Sequence, residues 1–365
     1  MTDKENKNAL DEARTIINSC DKEMAALFEK RMKAAVMVAN YKKAHGLPVY
    51  DAKREAEVIS RNSLRIEDPG VRSYYVKFLQ ETMDLSKSYQ HRILEGMRVA
   101  YSGVEGAFAN IIARKIFPET VLVSCPDFAS AYKSVENGDC DAAVLPVENS
   151  FAGEVGQVSD LMFKGSLFVN GMYELRVTQN LLGVGGASLE SVKTVVSHPQ
   201  ALMQCASYIK EHGFAPEEAQ NTALAAKYVA EKNDPSVAAI ASKETAELYG
   251  LKLLDHDINE NATNTTRFAV LSRVQNSDRA ENNVFLLFFT VNHTAGALAE
   301  AIGVIGKYGF NMKVLRSRPM RELAWQYYFY VEAEGDKDSD KAKEMLEELG
   351  RHCDMLKILG QYSAK

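Results

Sequence analysis

Apolar residues at Leu10, Ala13, Ile17, Cys20, Met24, Leu27, Ala34, Val38 and Tyr41 fall three or four apart, the spacing of a long helix with one buried seam. The seam breaks at Arg31, the next position in register after Leu27. A cation on a buried stripe is either paired within a bundle or held for a ligand. His45-Gly46-Leu47-Pro48 ends this segment, and Glu67-Asp68-Pro69-Gly70 marks a loop before a third helical stretch over 71–92. Beyond Glu95-Gly96 the pattern changes. Short apolar runs at 98–101, 121–124, 142–146, 192–196 and 237–241 alternate with helix-like segments, which predicts parallel sheet with crossover helices. Small polar residues follow four strand ends: Ser102-Gly103, Glu148-Asn149-Ser150, Ser197-His198 and Ser242. Each alone reads as a helix cap, but four on one sheet edge would wall a pocket beside helix N-termini that favour anions. A polar linker over 273–283 leads to strand 284–291, helix 295–307, strands 311–316 and 325–331, helix 341–349 and strand 356–359, the ferredoxin-like βαββαβ order.

Composition narrows the classes. A chain of 365 residues with 46% hydrophobic and 25% charged residues reads as a multi-domain globular protein. Its formal charge of −6 argues against a nucleic-acid partner, so any anionic ligand is expected to meet local clusters of Arg and Lys. The charged start at 1–6 and the lack of an apolar run near ~20 residues predict a cytoplasmic protein with no membrane span. Five scattered cysteines without Cys-x-x-Cys indicate neither a disulfide frame nor zinc, and the seven histidines lack metal spacing. Gly183-Val184-Gly185-Gly186 begins like a dinucleotide loop, but Ser188 stands where the third glycine belongs. No metal or organic cofactor is expected. His198 before Pro199 reads as a helix cap, with an acid–base role as the alternative.

The spacing of polar residues in the helical third is informative. Lys42 lies eleven residues beyond Arg31, ~16 Å along the same face, so two long side chains can converge. Arg14 lies seventeen residues before Arg31, ~25 Å away and turned by about a quarter of the circumference, so it must serve another site, most simply in a second chain. Asp51, Arg54 and Glu55 share a face of the next helix, and Ser86 and Gln90 stand one turn apart on the third. In order and nearly in spacing these residues resemble the active-site set of the all-helical chorismate mutases, with a one-residue shift on the third helix. The resemblance implies an intertwined dimer in which the first helix reaches into the partner's site. It implies that Arg14 from the partner chain, Arg31 and Arg54 hold carboxylates, that Ser86 binds another carboxylate oxygen, and that Lys42 and Gln90 face an ether oxygen. Glu55 and Asp51 then meet the hydroxyl end. A pericyclic rearrangement of chorismate to prephenate needs that grip, not a nucleophile.

The segment 261–268, Asn-Ala-Thr-Asn-Thr-Thr-Arg-Phe, reads either as a turn or as a small-carboxylate site with a proton donor. Pro146-Val147-Glu148-Asn149-Ser150, Ser197-His198-Pro199-Gln200-Ala201-Leu202 with Gln204, Asn221-Thr222-Ala223, and Asn264 followed by Thr266-Arg267-Phe268 resemble the prephenate dehydratases. The first glycine loop, Gly103-Val104-Glu105-Gly106-Ala107-Phe108-Ala109, departs from that family's Gly-Pro-x-Gly-Thr-Phe-Ser. The resemblance implies two α/β lobes, similar to bilobed periplasmic binding proteins, with substrate in the cleft. It makes Thr266 the donor that lets hydroxide leave as water and Arg267 the partner of a carboxylate. Asn149, Ser150, Ser197 and Gln204 would orient the substrate, and Thr263 and Thr265 fall back to turn residues.

Gly296-Ala297-Leu298 and Ser317-Arg318-Pro319 resemble the effector motifs of the ACT domain, an amino-acid sensor, with Arg316 in place of the usual glutamate. The three resemblances imply a helical mutase domain over 1–93, a dehydratase domain over 97–273 and an ACT domain over 283–365. They imply an enzyme of phenylalanine biosynthesis that takes chorismate and prephenate, is inhibited by L-phenylalanine, and forms a homodimer or larger assembly. A non-catalytic aromatic-metabolite sensor, or a dehydratase whose helical domain is only a dimerisation arm, are the competing readings.

Overall fold

The computed structural model describes residues 3–261, 263–275, 283–320 and 326–363, with side chains from residue 9 onward. Ala262, most of the expected 273–283 linker and the expected strand start at Trp325 lie outside the described residues. The chain divides into two compact units, Met1–Met97 and Arg98–Lys365. No described helix is long and apolar enough to cross a membrane.

The first unit is helical: α1 (Asp3–Ala44), α2 (Ala52–Ser63) and α3 (Pro69–Glu95). Asp51 caps α2 by accepting the Arg54 N–H, and Asp68 caps α3 ahead of Pro69 in its first turn. α3 turns Leu79, Met83, Ser86 and Gln90 inward, where α1 supplies Ala35 and Ala39. The seam expected to be buried on α1 is instead open in a single chain, with Leu27 64% and Tyr41 60% exposed. The periodicity is helical as expected. Most of the length of α1, however, has nothing among the described residues of its own unit to pack on.

The second unit opens with β1 (Arg98–Ser102), α4 (Phe108–Ile116), β2 (Val121–Cys125), α5 (Phe128–Glu136), β3 (Ala142–Asn149), the short β4 (Gly153–Glu154), α6 (Gly156–Lys164) and β5 (Phe168–Arg176). The chain then crosses to a second sheet. That lobe holds β6 (Asn180–Gly183), β7 (Thr194–Ser197), α7 (Pro199–Gln204), α8 (Ala206–His212), β8 (Ala215–Glu218), α9 (Thr222–Lys232), β9 (Val237–Ala241), α10 (Lys243–Tyr249) and β10 (Lys252–Asp255), its strands ordered β10-β6-β9-β7-β8. It returns through β11 (Thr265–Ser272), which is inserted antiparallel between β3 and β5. The β1–β2, β1–β3, β7–β8 and β7–β9 pairs are parallel, but the crossing strands pair antiparallel, so both sheets are mixed. The four polar strand ends therefore lie two on each sheet, not on one sheet edge as expected. That difference turns a single rim into two facing walls.

The last segment runs β12 (Asn283–Thr290), α11 (Ala297–Lys307), β13 (Met312–Pro319), β14 (Tyr327–Glu334), α12 (Asp340–Arg351) and β15 (Met355–Ser363), with antiparallel strands ordered β13-β14-β12-β15. This is the expected βαββαβ arrangement. Its sheet continues into the first lobe through one parallel bridge, Gly360 to Val169. Gly360 has φ +135°, and a Cβ there would stand 2.3 Å from the Val169 carbonyl oxygen, so only glycine fits. Side chains carry the rest of the junction by gripping α6 at both ends. The Lys357 ammonium donates to the carbonyls of Met162 at 2.7 Å, Phe163 at 3.1 Å and Gly165, capping the helix C-terminus. Phe163 stacks on Tyr328 at 4.2 Å. Near the other end Arg318 pairs with Glu154 at 3.6 Å and Asp160 at 3.3 Å, and the Tyr328 hydroxyl donates to Asp160 at 2.7 Å.

Candidate functional site

In the helical unit, the third helix with its one-residue shift brings Ser86 against Arg31. The Arg31 guanidinium donates to the Ser86 hydroxyl and, at 3.2 Å, to the Thr82 carbonyl. Among the described residues no carboxylate is paired with it, and burial pulls its pKa below the ordinary value. Gln90, 7% exposed, keeps an unpartnered Oε1. Glu55 meets Lys87 at 2.8 Å, a partner that sequence reasoning missed because it lies on another helix. Burial opposes the Lys87 charge, but the hydrogen bonds it donates to Asp84 and Glu55 raise its pKa overall. Lys42 donates to the Val49 carbonyl at 2.6 Å, across the α1–α2 loop. Asp51 is occupied as the α2 cap. Arg54 and Arg14 are not brought in: both are exposed, paired with Glu57 at 3.5 Å and Asp11 at 3.7 Å.

In the second unit a cleft of about 320 Å³ opens between the lobes. Its lining takes Asn149, Thr266, Phe268 and Asn264 from β3, β11 and the loop before β11, Glu154 from β4, Val155 at the N-cap of α6, and Gln179 from the crossing between lobes. The far wall supplies His198, Gln204, Asn221 and Thr222. The glycine loop before α4 reaches the opposite lobe. Gly106 has φ +86°, a Cβ there would meet Leu248 at 3.0 Å, and Thr245 donates to its carbonyl at 3.2 Å.

The cleft floor has a defined hydrogen-bond polarity. Asn149 Oδ1 accepts the backbone N–H of Phe151 at 3.0 Å and of Ala152 at 2.8 Å, which fixes its amide orientation. Its Nδ2 therefore donates, to Asn264 Oδ1 at 2.8 Å and to Thr266 Oγ1 at 2.9 Å. One lone pair of Thr266 is thereby taken, and the hydroxyl hydrogen is left for another acceptor. Asn264 is 1% exposed with Nδ2 unpartnered, and Gln179 is 2% exposed with Oε1 unpartnered. His198 takes the capping role expected of it, its Nδ1 accepting the Gln200 N–H at 3.2 Å while the ring borders the cleft.

Several expected site residues stand elsewhere. Strand alternation puts Thr266 and Phe268 on the cleft and Arg267 on the reverse face. There Arg267 makes a two-pronged pair with Glu332 at 3.1 and 2.8 Å, approaches Glu148 at 3.5 Å and donates to the Tyr362 hydroxyl at 3.1 Å. Arg316, in place of the usual glutamate, also pairs with Glu148. Ser197 is fully buried and donates to the Ile240 carbonyl at 2.6 Å. Ser150 is exposed and fastens the loop, accepting the Thr265 N–H at 3.0 Å and donating to the Thr263 carbonyl. Thr263 closes on Asn261 Oδ1 at 2.9 and 2.7 Å, the turn expected of it. Among the described residues lining the cleft none is Arg or Lys, so the expected basic cluster is replaced by helix starts. α4 and α6 begin there with no side-chain cap, leaving N–H groups for an anion.

The Arg267–Glu332 pair yields a stability prediction. Glu332 is 1% exposed; burial disfavours its charge, but Arg267 and the hydroxyls of Tyr330 and Tyr362 outweigh this and lower its pKa. Because the folded pKa lies below the unfolded one, the stability this carboxylate contributes is fully present above the ordinary Glu range and is lost as pH falls through the depressed value. Glu332→Gln, which leaves buried Arg267 with only the more distant Glu148 as counter-charge, is expected to destabilise the second unit by about 3 kcal/mol at neutral pH. Scanning calorimetry at descending pH checks both points, and the variant should lose less stability than the parent on acidification.

The C-terminal module has its own cavity, about 430 Å³, lined by Val291, His293, Thr294, Ala295, Leu298, Tyr327 and Phe329. Gly296 begins α11 at φ +89°, with Ala297 and Leu298 in the first turn. Ser317 and Pro319 lie opposite Phe329 and Tyr327 across the β13–β14 pair, whereas the Arg318 guanidinium turns away to Glu154 and Asp160. Arg318 is thus separated from the other expected effector residues.

Residues 13–91 match the chorismate mutase type II family and residues 99–276 the prephenate dehydratase family. A bifunctional chorismate mutase/prephenate dehydratase of Enterobacter agglomerans is 31% identical over 375 residues, 98% of this chain and 97% of the relative. Among solved structures, the second unit is similar to prephenate dehydratase of Arthrobacter aurescens in complex with L-Phe (25% identity, TM-score 0.68, 73% of this chain and 90% of that one). It is also similar to a protein described as a novel type of quorum-quenching acylase (31% identity, TM-score 0.68, 73% and 98%).

Proposed function

This chain belongs to the bifunctional chorismate mutase/prephenate dehydratase family, and from that premise we propose how its residues divide the work. The enzyme rearranges chorismate to prephenate and converts prephenate to phenylpyruvate on the route to phenylalanine. In the dehydratase cleft, the ring carboxylate leaves as carbon dioxide and its bonding pair enters the ring. The C–O bond opposite breaks, and the oxygen leaves as water once it gains a proton. Thr266 supplies that hydrogen. The observation that carries this is the Asn149 Nδ2 to Thr266 Oγ1 bond at 2.9 Å, which turns the threonine hydrogen outward and polarises it. The uncapped starts of α4 and α6 receive the substrate's carboxylates, and Gln204 orients it from the opposite wall. The arrangement of two lobes about a cleft is similar to that of periplasmic binding proteins. An acylase activity is not favoured, because the hydrogen-bond partner of Thr266 Oγ1 is the carboxamide of Asn149, not a base.

In the helical unit Arg31 holds a carboxylate with Ser86 beside it, Lys42 and Gln90 meet the ether oxygen, and Glu55 and Asp51 face the hydroxyl end. Arg54 swings in from its surface pair. The fourth cation, Arg14, comes from a second chain. The open apolar seam of α1, Leu10 through Tyr41, supports this reading, because another copy of the helix would bury it. The protein is therefore read as a cytoplasmic homodimer at least.

The C-terminal module is read as an ACT domain that binds L-phenylalanine. Its cavity offers Leu298, Tyr327 and Phe329 for the ring and His293 and Thr294 for polar groups. Inhibition requires that phenylalanine favour a module arrangement with a poorer dehydratase cleft. A coupled assay starting from chorismate, with and without L-phenylalanine, tests the whole reading: prephenate should appear and be consumed, and phenylalanine should slow its consumption. Leu298→Asp is expected to abolish the heat of L-phenylalanine binding to the full-length protein in calorimetry, and an undiminished heat would move the effector elsewhere.

A further inference from the structure

Asn264 Nδ2 and Gln179 Oε1 are both buried and unpartnered at the cleft. Leaving such atoms unsatisfied is costly, so a ligand group is their natural complement. Asn264 belongs to the segment already singled out in the sequence. Gln179 belongs to no motif. It sits in the crossing between lobes, its backbone N–H bound to Asn259 Oδ1 at 2.9 Å and its carbonyl accepting from Ile258 N at 2.9 Å. Its Nε2 donates to Gln204 Oε1 at 3.4 Å, which leaves the carboxamide oxygen as the free atom.

Prephenate carries two carboxylates, a keto group and one ring hydroxyl, and only the hydroxyl can donate a hydrogen bond. A free acceptor in this cleft therefore has one substrate group to meet. We propose that Gln179 is a positioning residue for the dehydration, accepting the hydrogen of the leaving hydroxyl so that its lone pairs turn toward Thr266 and Asn264. The three atoms match a hydroxyl's full capacity of one donor and two acceptor positions. As the C–O bond lengthens, the oxygen takes the hydrogen offered by Thr266 and departs as water, its original hydrogen still held by Gln179. The inference rests on Thr266 as the donor, and the Thr266→Ala enzyme run alongside tests that premise separately.

The discriminating ligand is the product, because phenylpyruvate lacks the hydroxyl. Gln179→Met, near in size but without the acceptor, is expected to lower kcat on prephenate by about tenfold to a hundredfold, with KM within about threefold. Its inhibition constant for phenylpyruvate should be unchanged. Gln179→Glu, which keeps an acceptor oxygen, should retain more turnover than Gln179→Met. Turnover of the Met variant within twofold of the parent, product affinity falling in step with kcat, or equal losses in Met and Glu variants would each overturn the assignment. Should Gln179→Met not fold, judged by its unfolding temperature, Gln179→Asn takes its place: the same group drawn back by one methylene, held to the same product comparison.

Discussion

Given chorismate, the Thr266→Ala enzyme should accumulate prephenate, its phenylpyruvate output lower by about 10²–10⁴-fold and its mutase rate unchanged. The size follows from what the hydroxyl does. Hydroxide is a poor leaving group, and aromatisation supplies the driving force only if the oxygen is protonated as it departs. Thr266 is 8% exposed, so the truncated side chain leaves little room for a water in the same orientation. Thr266→Ser, which keeps the hydroxyl and loses only a methyl group, should recover most of the rate. Measuring phenylpyruvate binding beside the two time courses distinguishes a lost acid from a misfolded unit, since a misfolded unit would also lose product binding. Normal phenylpyruvate output from the alanine variant would remove Thr266 from the mechanism.

The second large effect concerns the helical unit. Arg14→Ala and Arg31→Ala chains should each be nearly devoid of mutase activity alone, down by about 10²-fold or more. Mixed after unfolding, they should regain it. In a heterodimer one site draws its intact Arg31 from one chain and its intact Arg14 from the other, while the second site lacks both. Random pairing of equal amounts makes half the dimers mixed, so about a quarter of the parental activity should return. The physical reason is length: ~25 Å of straight helix separates the two arginines, and neither side chain spans that distance. Heterodimers isolated with two affinity tags that show no mutase activity would exclude a shared site.

Element type was readable wherever the pattern was regular and local. The period along α1, the loop at Gly46 and the βαββαβ order of the C-terminal module all follow from spacing, whereas the loop expected over 67–70 gives way to α3 from Pro69 onward. Which face is buried was harder. On α1 the seam of Leu10, Ile17, Met24 and Leu27 is apolar yet open, because periodicity shows which residues share a face and not what covers it. Arg267 was misplaced for a different reason. Its charge suggested a substrate carboxylate, although the alternation in β11 already put it opposite Thr266. Its true partner, Glu332, lies 65 residues away, and sequence alone gives no sign of that pairing. Ser197 and Ser150 illustrate the same limit, since a hydroxyl at a strand end serves a neighbouring carbonyl as readily as a ligand. Gln179 carried no signal at all: it is an ordinary glutamine whose importance lies in what it fails to bond within the protein.

The bridge at Gly360 bears on how the enzyme's two halves can diverge. A ten-stranded sheet pinned across its middle by one residue pair has a narrow waist, with almost no backbone ladder to resist sliding. Shear is borne instead by Lys357, Arg318 and the Phe163–Tyr328 stack around α6, whose N-cap residue Val155 also lines the cleft. Side chains mutate singly and ladders do not. The stiffness of this joint is therefore a quantity that point substitutions can retune in small steps while both folds stay intact. Arg316, paired with Glu148 across the same joint, is one such contact.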